Sequence, residues 1–199
     1  MNGDGISVIL FDLGRVLMHI DFDAFPHALG LYTDEERAPY RDPAARLVRT
    51  YESGAMTTEE FVEALHAMFG ARYTAERILD AWNAIIVRDN DDIVPFVRRV
   101  QRRYRTALLS NTSASHWEKV MRVSSLVPSI EHRFTSFSLG VLKPDRRAYD
   151  RVAASLGVEP HRILFIDDLP ENVAGAVDAG LRGITYRNAP QLLSETTFL

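Results

Sequence analysis

A chain of 199 residues, 46% hydrophobic and 25% charged, has ordinary globular usage and suffices for one sizeable core or a core with a smaller insert. A formal net charge of −4 argues against duplex nucleic acid or an anionic membrane surface as main partner and leaves a small molecule as the expected one. The absence of cysteine excludes a disulfide framework, a thiolate metal site and a cysteine nucleophile.

The chain opens on MNGDGISVILFDL, which lacks the basic start of a signal peptide, and no apolar run approaches the ~20 residues of a membrane span. The expectation is a soluble, cytoplasmic protein, a monomer or a homodimer. Ile6–Phe11 reads as a buried strand that ends at Asp12 and runs into DLG, Asp12–Gly14. Some 80 residues then separate this strand from the next apolar run, and they read as helix after helix. Within them TDEE (Thr33–Glu36) and TTEE (Thr57–Glu60) have the spacing of capping boxes. After the second, Phe61, Leu65, Met68 and Phe69 form an amphipathic stripe, and AERILDAWNAII continues in the same manner. The reading is a helical cap over residues 23–88, returned to the core by the linker Arg88–Asp92.

The rest alternates. Thr106–Leu109, Phe134–Phe137, Ile163–Ile166 and Gly183–Tyr186 read as strands, with helices at Ser115–Val123 and Asp145–Leu156, the latter capped by Gly157. This predicts an α/β fold: a doubly wound parallel (Rossmann-like) sheet from residues 1–22 and 89–199 with the helical cap inserted. The arginine run Arg98–Arg105 lies on a predicted helix leading into a strand and reads as a solvated face rather than a nucleic-acid site. Six histidines show no ligand spacing, Trp82 and Trp117 fall on apolar stripes, and Arg46 and Arg49 share a helix face that reads as solvated, with contact to a substrate as the other reading.

In open α/β sheets ligands bind beyond the carboxyl ends of the strands. The residues just past those ends are Asp12–Gly14, Ser110–Thr112 in SNT, Lys143 in LKPD, and Asp167, Asp168 and Asn172 in IDDLPEN. One hydroxyl, one ammonium and three carboxylates thus converge from four distant segments. Asp12, Asp167 and Asp168 give −3 and Lys143 gives +1, so the crevice carries −2. A bound Mg²⁺ cancels that charge and prefers such hard oxygen ligands.

These four segments, in this order, resemble the four motifs of the haloacid dehalogenase superfamily, whose members are mostly Mg²⁺-dependent phosphatases. The resemblance implies that Asp12 is a nucleophile forming an aspartyl-phosphate, that Ser110 and the Asn111 amide hold the transferring phosphoryl, and that Lys143 neutralises both. It implies Mg²⁺ held by Asp12, Asp168 and the Gly14 carbonyl, with Asp167 beside it or acting through water, and a cap of the C1 type. The paired acids Asp167 and Asp168 weigh against dehalogenation, which needs no metal. The expected substrate is a small phosphate ester.

Most phosphatases of this family carry a second Asp two residues after the nucleophile, which protonates the leaving oxygen; here that position is Gly14. Such proton transfer contributes ~10²–10⁴-fold, so its loss weakens a site without erasing it. The opening FDLGRVLMHIDF resembles a bacterial branch with DLG at this point that includes sugar-1-phosphate phosphatases. His19 and Asp21 stand as candidates to replace the missing acid, against a plain solvated or capping role. The alternative from another class is a non-catalytic protein that binds a phosphorylated ligand or Mg²⁺ after losing its acid–base group.

Overall fold

A computed structural model describes residues 5–199; residues 1–4, the start of the stretch read for a leader, lie outside the described residues. The elements run β1 (Val8–Phe11), β2 (Met18–Ile20), α1 (Ala24–Ala28), α2 (Asp34–Glu52), α3 (Thr58–Met68), α4 (Ala75–Asn83), β3 (Ile86–Asp89), α5 (Val94–Val100) and β4 (Arg105–Ser110). They continue with α6 (Ala114–Val123), β5 (His132–Thr135), α7 (Ser136–Leu139), α8 (Arg146–Leu156), β6 (Ile163–Asp167), α9 (Pro170–Asp178), β7 (Arg182–Thr185) and α10 (Ala189–Glu195). Five strands form one sheet in the order β5-β4-β1-β6-β7, parallel at every pairing. No described helix is long and apolar enough to cross a membrane.

Alternate side chains of each central strand serve opposite faces. Ile9, Phe11, Leu108, Leu164 and Ile166 pack into one cluster with Phe96 and Val97 of α5, while Val8, Leu10, Leu109, Ile163 and Phe165 pack into another with Tyr149 and Val152 of α8. Burial on both faces explains why these strands read as unbroken apolar runs. The sheet order places β1 in the middle, so the residues after β4, β1 and β6 lie side by side at one edge.

Thr33 and Thr57 each close a complete capping box, with Glu36 and Glu60. The stripe on α3 is buried at Phe61 and Leu65, with Phe69 just past its end, and Met68 is only partly covered; these pack with Tyr51, Ile78 and Trp82 in a third cluster. Asp145 caps α8, and Gly157 ends it in a left-handed conformation, φ 62°. Arg98, Arg99, Arg102 and Arg103 are exposed, Trp82 is buried, and Trp117 packs partly against the core.

Two local readings differ. The run Phe134–Phe137 leaves the sheet at Thr135, because Ser136 and Phe137 open the short α7. The linker Arg88–Asp92 overlaps β3, which pairs antiparallel with β2, so an irregular two-stranded ribbon joins the helical segment to the sheet. A three-residue strand whose partner lies some 66 residues on has too little pattern to show in sequence.

The helical segment is pinned to the sheet domain. The Trp82 indole stacks on His116 at 4.3 Å, and its Nε1 donates to Ser113 Oγ at 3.2 Å. The Ser115 amide donates to the Tyr51 hydroxyl, and Ser136 Oγ donates to the Glu52 carbonyl at 2.6 Å. Just past α2, Gly54 has φ 77°, and a Cβ there would stand 2.2 Å from the Phe137 carbonyl oxygen. Gly54→Ala therefore meets both a left-handed backbone, roughly 1–2 kcal/mol, and a backbone collision. Its thermal midpoint should fall by at least about 5 °C in calorimetry, and by more than that of Gly70→Ala, where φ is 61° and nothing stands within 4 Å.

Candidate active site

Asp12 directly follows β1, Ser110 ends β4, Asp167 ends β6, and Lys143 arrives on the loop between α7 and α8. The structure brings these together. Asp12, Gly14, Ser110, Asn111, Lys143 and Asp168 line one crevice of about 210 Å³, joined by Arg15, Ile20, Phe22, Glu52, Leu169 and Asn172. A larger surface hollow, about 480 Å³ beside Asp150 and Arg162, lies away from this convergence of groups.

The Lys143 ammonium is buried between two carboxylates, donating to Asp12 Oδ1 at 2.5 Å and to Asp167 Oδ2 at 2.6 Å. Its backbone is clamped by the Asn111 amide: Asn111 Nδ2 donates to the Lys143 carbonyl and the Lys143 N–H donates to Asn111 Oδ1, both at 2.9 Å. The Asn111 side chain is thereby committed to holding Lys143. Asp167, fully buried, also accepts from the Leu169 N–H at 2.8 Å and from Asn172 Nδ2 at 3.1 Å on each oxygen. With its oxygens so engaged, Asp167 orients Lys143. Asp168 is half-buried and pairs with Arg15 at 3.6 Å.

Burial raises the Asp12 carboxyl to about 7, and Asp167 adds to the rise while Lys143 opposes it. For Lys143 burial alone would lower the ammonium, but Asp12 and Asp167 outweigh it and the net shift is upward. The ammonium therefore stays charged and the surplus is negative. Asp12, Asp167 and Asp168 each offer an oxygen within 4.8 Å of the others, a hard donor set facing an uncompensated charge. These residues fit a divalent cation.

Gly14 stands where the sequence lacks a second acid. Its φ is not in the left-handed region, yet a Cβ there would stand 2.9 Å from Ile20 Cδ1. The tip of the Ile20 side chain would have to move aside for a side chain at this position. Neither His19 nor Asp21 lines the crevice: both are exposed, and Asp21 accepts from the Asp23 N–H at the start of α1. Arg46 and Arg49 are exposed on α2 and also lie outside the lining, although the Arg49 charge acts on Glu52.

Glu52, the last residue of α2, was not singled out by sequence reasoning, and it is a carboxyl in the crevice. Burial raises it to about 7 against the opposing charges of Lys143 and Arg49. A signal was available. An acidic residue at a helix C-terminus faces the negative end of the macrodipole, so α2 gains nothing from it.

A sequence model of the haloacid dehalogenase-like hydrolases matches residues 6–180. The chain is 26% identical over 207 aligned positions to a D-ribitol-5-phosphate phosphatase of Bacteroides thetaiotaomicron, covering 98% of each. It is 41% identical to a flavin mononucleotide hydrolase of Arabidopsis thaliana over 66 residues, 33% of this chain and 27% of the relative. A haloacid dehalogenase family enzyme of Bacteroides thetaiotaomicron, solved with magnesium and inorganic phosphate, superposes with a TM-score of 0.79 at 23% identity, covering 92% of this chain and 95% of that one. A solved haloacid dehalogenase-like hydrolase of Porphyromonas gingivalis gives 0.78 at 25% identity, with 96% of each covered.

Proposed function

The chain belongs to the haloacid dehalogenase-like hydrolases, and on that premise we propose that it is a Mg²⁺-dependent phosphatase of a small phosphate ester, a sugar or polyol phosphate first among them. The observation that carries the reading is the Lys143 ammonium buried between Asp12 and Asp167 with Asp168 beside them. A mere binding site for an anion gains nothing from a carboxylate at its floor. A covalent mechanism needs one.

In this reading Asp12 Oδ attacks phosphorus while Lys143, Ser110 and the Asn111 backbone N–H hold the phosphoryl oxygens, the Asn111 side chain being engaged with Lys143. Asp12 becomes an acyl phosphate and the alcohol departs; water then attacks phosphorus and returns the carboxylate. Asp167 and Asn111 act at one remove by fixing the Lys143 side chain and backbone. Asp12, Asp168 and the Gly14 carbonyl would hold Mg²⁺, which supplies charge neutralisation at the phosphoryl group.

Residues 1–22 and 89–199 form the phosphoryl-handling core, and 23–88 the cap that meets the leaving group. The crevice is smaller than the ~300–1,000 Å³ that encloses a drug-sized ligand, which suits a phosphoryl and a short alcohol. Phe22 borders both this crevice and a second hollow of about 380 Å³ within the cap, giving longer substrates a direction in which to extend. Phosphate release should be measured across phosphorylated polyols, sugars and nucleotides with and without Mg²⁺. Turnover concentrated on neutral polyol or sugar monophosphates is expected, and release from none would refute the reading. Phe22→Ala is expected to change the ranking of these substrates more than the rate on an aryl phosphate. An unchanged ranking would place the leaving group elsewhere.

A further inference from the structure

Resting on this phosphatase reading, we propose that Glu52, from the end of α2, is the proton donor to the leaving oxygen and takes over the task for which Gly14 has no side chain.

In-line displacement puts the leaving oxygen on the far side of phosphorus from Asp12. The floor of the crevice is built from the ends of β1, β4 and β6 and the Lys143 loop. The helical segment and its ribbon contribute Ile20, Phe22 and Glu52. Ile20 and Phe22 are hydrocarbon. Arg15 is engaged with Asp168, which itself belongs to the acidic set that fits the cation. Glu52 is the one remaining lining carboxyl, and the departing alcohol faces its side of the crevice.

Its backbone is held as a working acid requires. The Glu52 carbonyl accepts from Ser136 Oγ, which in turn accepts from the Thr112 N–H at 3.0 Å, two residues past Ser110. Tyr51 beside it is buried and bonded to Thr58 and Ser115. Gly54 after it lies so close to Phe137 that no side chain fits. The carboxyl thus comes from the cap, but the backbone that carries it is tied through Ser136 to the loop that holds the phosphoryl. Burial keeps it protonated to about pH 7, against the pull of Lys143 and Arg49. The other charged side chains that line the crevice with it are Asp12 and Arg15 after β1 and Asp168 after β6; of the helices packed on α2, α7 carries no charge and α3 carries Glu59, Glu60, Glu63 and His66.

The step balances. As the bond from Asp12 Oδ to phosphorus forms and the bond from phosphorus to the ester oxygen breaks, the Glu52 proton passes to that oxygen and the alcohol leaves neutral. Glu52, now a carboxylate, accepts a proton from the water that attacks the acyl phosphate.

The test is Glu52→Gln, measured as kcat/KM across phosphate esters ranging from activated aryl to alkyl. Alkyl esters, whose leaving oxygen needs a proton, should lose ~10²–10⁴-fold, and an activated aryl ester less than about tenfold, its turnover also reporting an intact fold. The wild type should lose alkyl turnover above about pH 7 relative to aryl turnover, and the variant should not. Taking the difference between substrates cancels the titration of Asp12, which acts on both. Equal losses on all esters, or none on alkyl esters, would overturn the role of Glu52 while leaving the phosphatase reading intact. Wild-type protein that hydrolyses no ester would overturn both. A selective gain on alkyl esters from Gly14→Asp would show that the site lacked a donor, and would also overturn the proposal.

Discussion

Asp12→Asn is expected to lower turnover of every phosphate ester by on the order of 10⁴-fold or more while the protein stays folded. The amide keeps the shape of the side chain and removes the attacking charge. The fold depends little on that charge. Lys143 retains Asp167 at 2.6 Å, and Asp167 retains the Leu169 and Asn172 donors, so no buried cation is left unpaired. Removing one of three crowded carboxylates also relieves repulsion, and the thermal midpoint should hold or rise. Initial rates on an aryl phosphate, with circular dichroism on the same samples, make the comparison. Retention of more than about a tenth of the wild-type rate would mean that water attacks the ester directly and that Asp12 serves only to bind.

The parts of this site that lie on strands were legible because each follows a buried apolar run. Ile9–Phe11, Leu108–Leu109 and Ile163–Ile166 announce themselves by composition, and the parallel sheet then forces Asp12, Ser110 and Asp167 to one edge. The capping boxes at Thr33 and Thr57 were legible for a different reason, since donor and acceptor sit three residues apart.

Glu52 had neither advantage. It stands among Arg49, Thr50 and Ser53 at the end of a helix rich in charge, and it meets Lys143 only because Ser136 and the close approach of Gly54 to Phe137 dock that end on the core. These partners lie more than 80 residues away, beyond any local pattern. His19 and Asp21 are near Gly14 in sequence but face solvent, because β2 turns them out of the crevice and points Ile20 into it. Neighbourhood along the chain pointed to residues that stand outside the crevice, while strand topology pointed to residues that meet in it.

Removing divalent metal with a chelator is expected to abolish turnover of all esters, and Mg²⁺ to restore it. The reason is the charge the substrate meets. Asp12, Asp167 and Asp168 sum to −3, and Lys143 and the half-exposed Arg15 return +2, leaving −1 before a phosphate dianion arrives. Lys143 cannot supply more, since its ammonium is already shared by two carboxylates. Arg15 is drawn toward Asp168, the carboxylate with the least other engagement, and occupies part of the charge a cation would claim. A divalent ion turns the sum to +1, so the site changes from repelling the dianion to attracting it, and in a buried crevice that reversal is far larger than at an exposed surface. Asp168→Asn should weaken this dependence in a defined way: the Mg²⁺ concentration for half-maximal rate rises, by roughly 10–100-fold as for other altered metal surroundings, and much of the rate returns at saturating metal. Asp12→Asn should show no such rescue. If chelated wild-type protein kept its rate, Arg15 and Lys143 would suffice to hold the phosphoryl, and the acidic set would be serving to position the lysine.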